Sequence, residues 1–176
     1  MKRKRLFCAL IAAAVLVAGA TGAFFGVKSG YPRPYREEVE ASGLEPFLVY
    51  SLMKAESGFR ECVVSSAGAV GIMQLKPSTA EFICGKEGLA FEPSRLKEGK
   101  YNVTVGCLYL KYLLERFEVR ETALAAYNAG EGTVGKWLGD SACSDDGKTL
   151  KRIPYPETAS YVKKIRKFMK IYEFFY

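Results

Sequence analysis

The chain has no histidine, and its three aspartates, Asp140, Asp145 and Asp146, sit together in one late Gly/Ser-rich segment. The first absence removes Ser-His and Cys-His catalysis, His-ligated zinc and an imidazole base titrating near neutral pH. The second means that any early pair of catalytic carboxylates has to be built from glutamates. The five cysteines include no Cys-x-x-Cys spacing, which argues against a thiolate metal site. Neither a metal nor a cofactor is therefore expected. No internal repeat and no low-complexity tract is present.

One long uncharged run stands out. Met1-Lys2-Arg3-Lys4-Arg5 precedes Leu6 to Val27, 22 residues without a formal charge. At about 1.5 Å per residue a helix of that length spans roughly 33 Å, enough to cross a bilayer. The basic flank would stay in the cytoplasm and place everything after Val27 outside. A cleaved signal peptide is the alternative, since Ala18-Gly19-Ala20 is a small-x-small site after a shorter apolar core. Both readings export the working domain, either held at the cell membrane by a single-pass transmembrane helix or secreted. Residues 1–27 thus read as basic flank and anchor or signal segment, 28–34 as a linker, and 35–176 as one domain. The roughly 150 residues after the anchor suffice for one buried core and are too few for two ordinary domains.

The formal charge of +7 would by itself suggest a nucleic-acid partner, but five of the 26 basic residues lie in or beside the anchor. Setting those five aside leaves 21 basic against 19 acidic residues, a net of +2. That balance, together with export, excludes nucleic acid as the expected partner. Lys163, Lys164, Arg166, Lys167 and Lys170 read as a solvated helix face. Outside the cell, Cys62, Cys84, Cys107 and Cys143 permit disulfides whose pairing sequence cannot choose. Cys107 lies on an apolar stripe that equally suits a buried thiol.

Apolar spacing predicts a mainly helical domain. Tyr35 to Ala41 should form a short helix ended by Ser42-Gly43, and Pro46 should open a largely buried helix reaching Glu56. Ser65 to Leu75 reads as a loop or irregular hairpin, and Pro77 opens a helix through about Ile83. Asn102 to Phe117, Glu121 to Tyr127 and Thr133 to Leu138 follow, the last two separated by Gly130 and Gly132. Pro156 begins the final helix, whose Val162, Ile165, Met169, Tyr172 and Tyr176 form an apolar stripe. Trp137, set among Val134 and Leu138, reads as core rather than as a sugar-stacking ring.

Three blocks carry the chemistry. Glu56-Ser57 closes an apolar stretch, Gly68-Ala69-Val70-Gly71-Ile72-Met73-Gln74-Leu75 follows, and Ala125-Ala126-Tyr127-Asn128-Ala129-Gly130 comes later. In this order they resemble the soluble lytic transglycosylase domain of the lysozyme superfamily. The resemblance runs from about Gly43 to the C-terminus and includes Glu157-Thr158-Ala159-Ser160-Tyr161-Val162. It implies a mainly α, lysozyme-like domain of the goose-type lysozyme and lytic transglycosylase kind. The expected partners are peptidoglycan glycan strands, the membrane through the N-terminal helix, and cell-wall machinery proteins, with the domain itself a monomer.

A carboxyl at a helix C-terminus feels the negative end of the dipole, and Met53, Phe59 and Met73 supply apolar surroundings, so the Glu56 pKa should rise. A protonated glutamic acid near neutral pH can donate to a glycosidic oxygen. The resemblance implies that Glu56 alone serves as acid and then base, cutting between N-acetylmuramic acid and N-acetylglucosamine and leaving a 1,6-anhydro end. It also implies substrate-binding or orienting roles for Ser57, Ser65, Gln74, Tyr127, Asn128 and Tyr161. Gly68 and Gly71 would let the backbone approach the glycan. Against these stand blander readings: Glu56 as a surface helix-end residue, Tyr127 as core. Two departures from the family pattern are Arg60-Glu61, where Asn-Pro is common, and Lys76, where Met or Ile usually follows the Gln loop. A hydrolytic muramidase and a non-catalytic, membrane-tethered wall-binding scaffold are the rival functions.

Overall fold

The computed structural model describes residues 18, 19 and 21–176. These fall into two units, an N-terminal segment through Arg33 grouped with Phe175, and a compact unit of Pro34–Phe174 with Tyr176. In the first, residues 18–19 and 21–29 are helical (α1). No helix of the described residues is long and apolar enough to cross a membrane. Most of the run from Leu6 to Val27 lies outside the described residues, as does Cys8.

The larger unit holds α2 (Arg36–Ala41), α3 (Pro46–Glu56), α4 (Pro77–Lys86), a 3-10 turn (Pro93–Lys97), α5 (Gly99–Phe117), α6 (Arg120–Ala129), α7 (Glu131–Leu138) and α8 (Pro156–Phe175). Prolines open α3, α4 and α8, where the missing N–H would have had no intrahelical partner and the fixed φ suits the first turn. Between α3 and α4 the chain makes only two isolated antiparallel bridges, Val64 with Val70 and Val70 with Leu75, the irregular hairpin expected there.

α5 is the central element. Val103, Val105, Leu110 and Leu113 on it are fully or almost fully buried, and α2, α4, α6 and the 3-10 turn all pack on it. Gly106 of α5 is a notch for Met73, whose Cβ would lie 2.9 Å from any Cβ placed at that glycine. From α8, Val162, Ile165, Met169 and Tyr172 close the core.

Several boundaries differ from expectation. α4 runs past Ile83 because Cys84 is itself buried, and it ends where Gly88 takes a φ of 68° and Leu89 N–H bonds back to the Cys84 carbonyl at 2.8 Å. The break between α6 and α7 is Gly130 alone, at φ 88°; Gly132 is helical. Tyr176 does not join the buried stripe: it lies beyond the last residue of α8 and is exposed. The 3-10 turn, with its buried Leu96, was not expected. Trp137 is buried edge-on to Tyr155, as core packing requires. Cys62, Cys84, Cys107 and Cys143 are all free, and burial pushes the Cys107 thiol up to about 12, leaving it inert.

Candidate active site

Glu56 is the last residue of α3, a helix anchored by Leu48, Val49, Leu52 and Met53 in the core. After Ser57, Gly58 and Phe59 take φ values of 62° and 70°, turning the chain sharply away. The Glu56 carboxyl is thereby left part-buried on the wall of a cavity of about 400 Å³. Burial pushes its pKa up to about 7, while a hydrogen bond from Tyr161 and the nearby Lys164 ammonium pull it the other way. The Tyr161 hydroxyl donates to Glu56 Oε1 at 2.5 Å, and Lys164 Nζ donates to the Ala55 carbonyl at 3.2 Å. Lys164 thus meets the open carbonyls at the end of α3 and partly offsets the negative end of the dipole. It is not merely one of a row of solvated cations.

The Gln74 loop faces Glu56 and is held from three sides. Ser57 Oγ donates to the Ile72 carbonyl at 2.8 Å, and Tyr127 Oη donates to the Met73 carbonyl at 2.8 Å. From α5, the wholly buried Asn102 accepts from Met73 N–H at 2.8 Å and donates to the carbonyls of Val70 and Leu96, each at 2.9 Å. Gln74 itself stands at φ 48°, a left-handed conformation that a side-chain residue keeps only when its surroundings enforce it. Its amide nitrogen donates to Gly71 at 2.8 Å and Val63 at 3.1 Å, knitting the loop from within.

Of the residues singled out from sequence, Glu56, Ser65, Gln74, Tyr127 and Asn128 line the cavity together. Ser65 Oγ accepts from Ala69 N–H at 3.0 Å, and Asn128 Oδ1 accepts from Thr158 Oγ1 at 2.7 Å. Ser57 and Tyr161 are buried behind that wall, Ser57 bracing the loop and Tyr161 touching the carboxyl. The Tyr127 hydroxyl is spent on the Met73 carbonyl instead of on Glu56. Gly71 is glycine for a packing reason: a Cβ there would strike the Asn102 amide and approach the Leu96 carbonyl oxygen to 2.5 Å. Gly68 has open space around it, and neither glycine lines the cavity.

Sequence reasoning missed Asn102, Tyr109, Lys164 and Glu157 as parts of the site. Asn102 had a legible signal, an amide among the apolar residues of α5. Glu157, in the first turn of α8, lines the same cavity as Glu56, so a second carboxylate does reach the cleft, from late in the chain. Glu61 does not; it accepts a hydrogen bond from the Tyr35 hydroxyl on the surface. Lys76 stands on the cavity wall with Thr79.

A family model described as the transglycosylase SLT domain matches residues 33–149, most of the chain. The chain belongs to this family. The chain is 34% identical over 129 residues to a soluble lytic murein transglycosylase of Escherichia coli, an alignment covering 71% of this chain and 20% of that protein. It is also 34% identical over 112 residues to a membrane-bound lytic murein transglycosylase C of Haemophilus ducreyi, covering 57% of this chain and 30% of the other. Among solved structures, the 70 kDa soluble lytic transglycosylase of E. coli superposes with a TM-score of 0.72 at 29% identity, over 82% of this chain and 25% of that one. An inactive Glu-to-Gln mutant of lytic transglycosylase Slt from Pseudomonas aeruginosa gives 0.71 at 31% identity, over 81% and 24%. The SLT domain therefore has the mainly helical, lysozyme-like fold anticipated from its sequence. The chain spans well under two thirds of the length of each of these relatives.

Proposed function

We propose that the domain is a peptidoglycan lytic transglycosylase in which Glu56 acts alone as acid and then base. The observation that carries this reading is a carboxyl on the wall of a cavity of about 400 Å³, its pKa pushed up to about 7 by burial. In the first step Glu56 gives that proton to the oxygen linking N-acetylmuramic acid to N-acetylglucosamine, and the C1–O bond breaks. The acetamido oxygen of the muramoyl sugar shares the positive charge developing at C1, as in other substrate-assisted enzymes. In the second step the Glu56 carboxylate takes the proton of that sugar's C6 hydroxyl, whose oxygen closes onto C1. A 1,6-anhydro end forms, no water is consumed, and Glu56 is protonated again.

Two neighbours suit a group that must be neutral and then charged. Burial favours the acid before the first step, while Tyr161 and Lys164 support the carboxylate between the steps. The Tyr161 bond also fixes the orientation of one carboxyl oxygen. Gln74, Ser65 and Asn128 line the cavity and offer polar groups to sugar hydroxyls, Gln74 through its amide oxygen because its nitrogen is bound to the Gly71 and Val63 carbonyls. The names of the relatives, lytic murein transglycosylases both soluble and membrane-bound, support the same substrate class.

Glu157 favours one second reading, a hydrolytic muramidase in which that carboxylate activates water. Digesting purified wall and analysing the ends separates the two, since only the transglycosylase leaves anhydro-muropeptides. A non-catalytic scaffold would release neither product. We further infer that the domain works outside the cytoplasm, tethered through residues 1–27, as a monomer serving cell-wall machinery. Membrane fractionation and N-terminal sequencing of the exported protein test the tether; a mature chain beginning near Thr21 would show cleavage instead.

A further inference from the structure

One face of α8 carries charge of a single sign. From Lys163 to Lys170 the helix has five cations and no carboxylate. At about 100° per residue, Lys163, Arg166, Lys167 and Lys170 fall within roughly 100° of one another and form a stripe about two turns long. All four are exposed, and they alone line a hollow of about 300 Å³. Arg166 lies 3.7 Å from the Glu121 carboxylate of α6. Lys163, Lys167 and Lys170 have no ion pair among the described residues.

Folding does not account for this arrangement. Lys163 with Lys167, and Arg166 with Lys170, stand at i and i+4, a spacing at which like charges weaken a helix and opposite charges support it. The helix dipole does not explain them either, since its pull on cations is confined to the last turn and α8 continues to Phe175. The stripe also points away from the cleft. Tyr161, which holds Glu56, lies about 160° around the helix from Lys163 and about 180° from Lys170. A partner on the stripe therefore leaves the catalytic cavity open.

We propose that this stripe docks on the anionic headgroups of a phospholipid bilayer, so that the cleft faces outward, toward the wall. The choice of partner rests on reading residues 1–27 as a tether. That tether leaves only residues 28–34 before the domain, at most about 25 Å of extended chain, so a membrane surface is always within reach. Docking is then intramolecular, and a weak attraction suffices. Headgroup phosphates form a flat array of negative charge, which suits cations spread over roughly 10 Å of one helix face. Each basic residue near such a surface favours the docked state by about five-fold. Glu121 partly occupies Arg166, so the three lysines carry most of the contact.

The test uses the full chain in vesicles of phosphatidylcholine, alone or mixed with phosphatidylglycerol, and reads lysine acylation residue by residue by mass spectrometry. In the anionic vesicles Lys163, Lys167 and Lys170 should react at least roughly five-fold more slowly, while the exposed Lys86 and Lys97 keep their rates. High salt should erase the difference by screening the attraction. Equal rates for the stripe in both vesicles would overturn the proposal, and so would equal slowing of Lys86 and Lys97. Stronger protection by soluble poly(glycerol phosphate) than by anionic lipid would also overturn it, assigning the stripe to a wall polymer. If phosphatidylcholine vesicles fail to retain the chain, the tether falls on its own. The stripe then stands if phosphatidylglycerol vesicles capture the chain with those lysines protected, and falls if they do not.

Discussion

Replacing Glu56 by glutamine should remove cleavage and add stability, by an amount that depends on pH. Burial lifts this carboxyl from its ordinary 4.5 to about 7 against the pull of Tyr161 and Lys164. Between those two values the folded protein binds more protons at this site than the unfolded chain does. Stability therefore declines as pH rises through that window, and the full penalty is present above about pH 7. At about 1.4 kcal/mol per pH unit, the penalty is up to about 3 kcal/mol. Glutamine cannot ionise, keeps the shape, and still offers an oxygen to the Tyr161 hydroxyl. Denaturant titrations of both proteins across the pH range should coincide in acid, where Glu56 is neutral in both folded and unfolded chains. They should diverge in favour of the variant on the alkaline side, by up to about 3 kcal/mol. Turbidity assays on cell wall should show no cleavage by the variant at any pH. Equal stabilities throughout, or a variant weaker in alkali, would refute the burial account; substantial turnover would remove Glu56 from its place as the acid.

Wild-type turnover should fall as pH rises through about 7, because the first step needs the protonated acid; a flat profile across that range would contradict the role. Tyr161→Phe deletes a bond that favours the carboxylate, so the alkaline limb of the pH profile should shift upward and kcat should drop, with melting temperature changing less than turnover. Tyr127→Phe leaves the buried Met73 carbonyl without its donor, which should cost about 1–3 kcal/mol of stability and raise KM as the Gln74 loop loosens. An unchanged melting curve and KM would return that hydroxyl to an incidental role. Gly71→Ala must displace Asn102 or the Leu96 carbonyl, and should destabilise by more than about 1 kcal/mol, read by denaturant titration.

Helices with strong local signals were legible in the sequence: the prolines opening α3, α4 and α8 and the apolar spacing of α5 fixed them to within a few residues. The rise expected in the Glu56 pKa agrees in direction with the structure, where burial of the carboxyl is its cause. Side-chain partnerships across long stretches of chain were not legible. Tyr161 meets Glu56 from 105 residues away, and Tyr127 reaches Met73 from 54 away. Spacing along the chain says nothing about such pairs. Gly71 shows the converse case: the glycine was noticed, but its reason, the buried Asn102 amide pressed against it, exists only once α5 has packed on the loop. Glu157 escaped notice because a search for an early carboxylate pair does not look at the first turn of the last helix.

The central claim is that an internal hydroxyl, not water, attacks C1, and the product records which one did. Muropeptides released from purified wall by this chain should be lighter by one water than hydrolytic products and should resist borohydride, having no reducible muramoyl end. Mass spectrometry before and after reduction reads both properties at once. Predominantly reducible ends would contradict the account and point to Glu157 as the group that activates water.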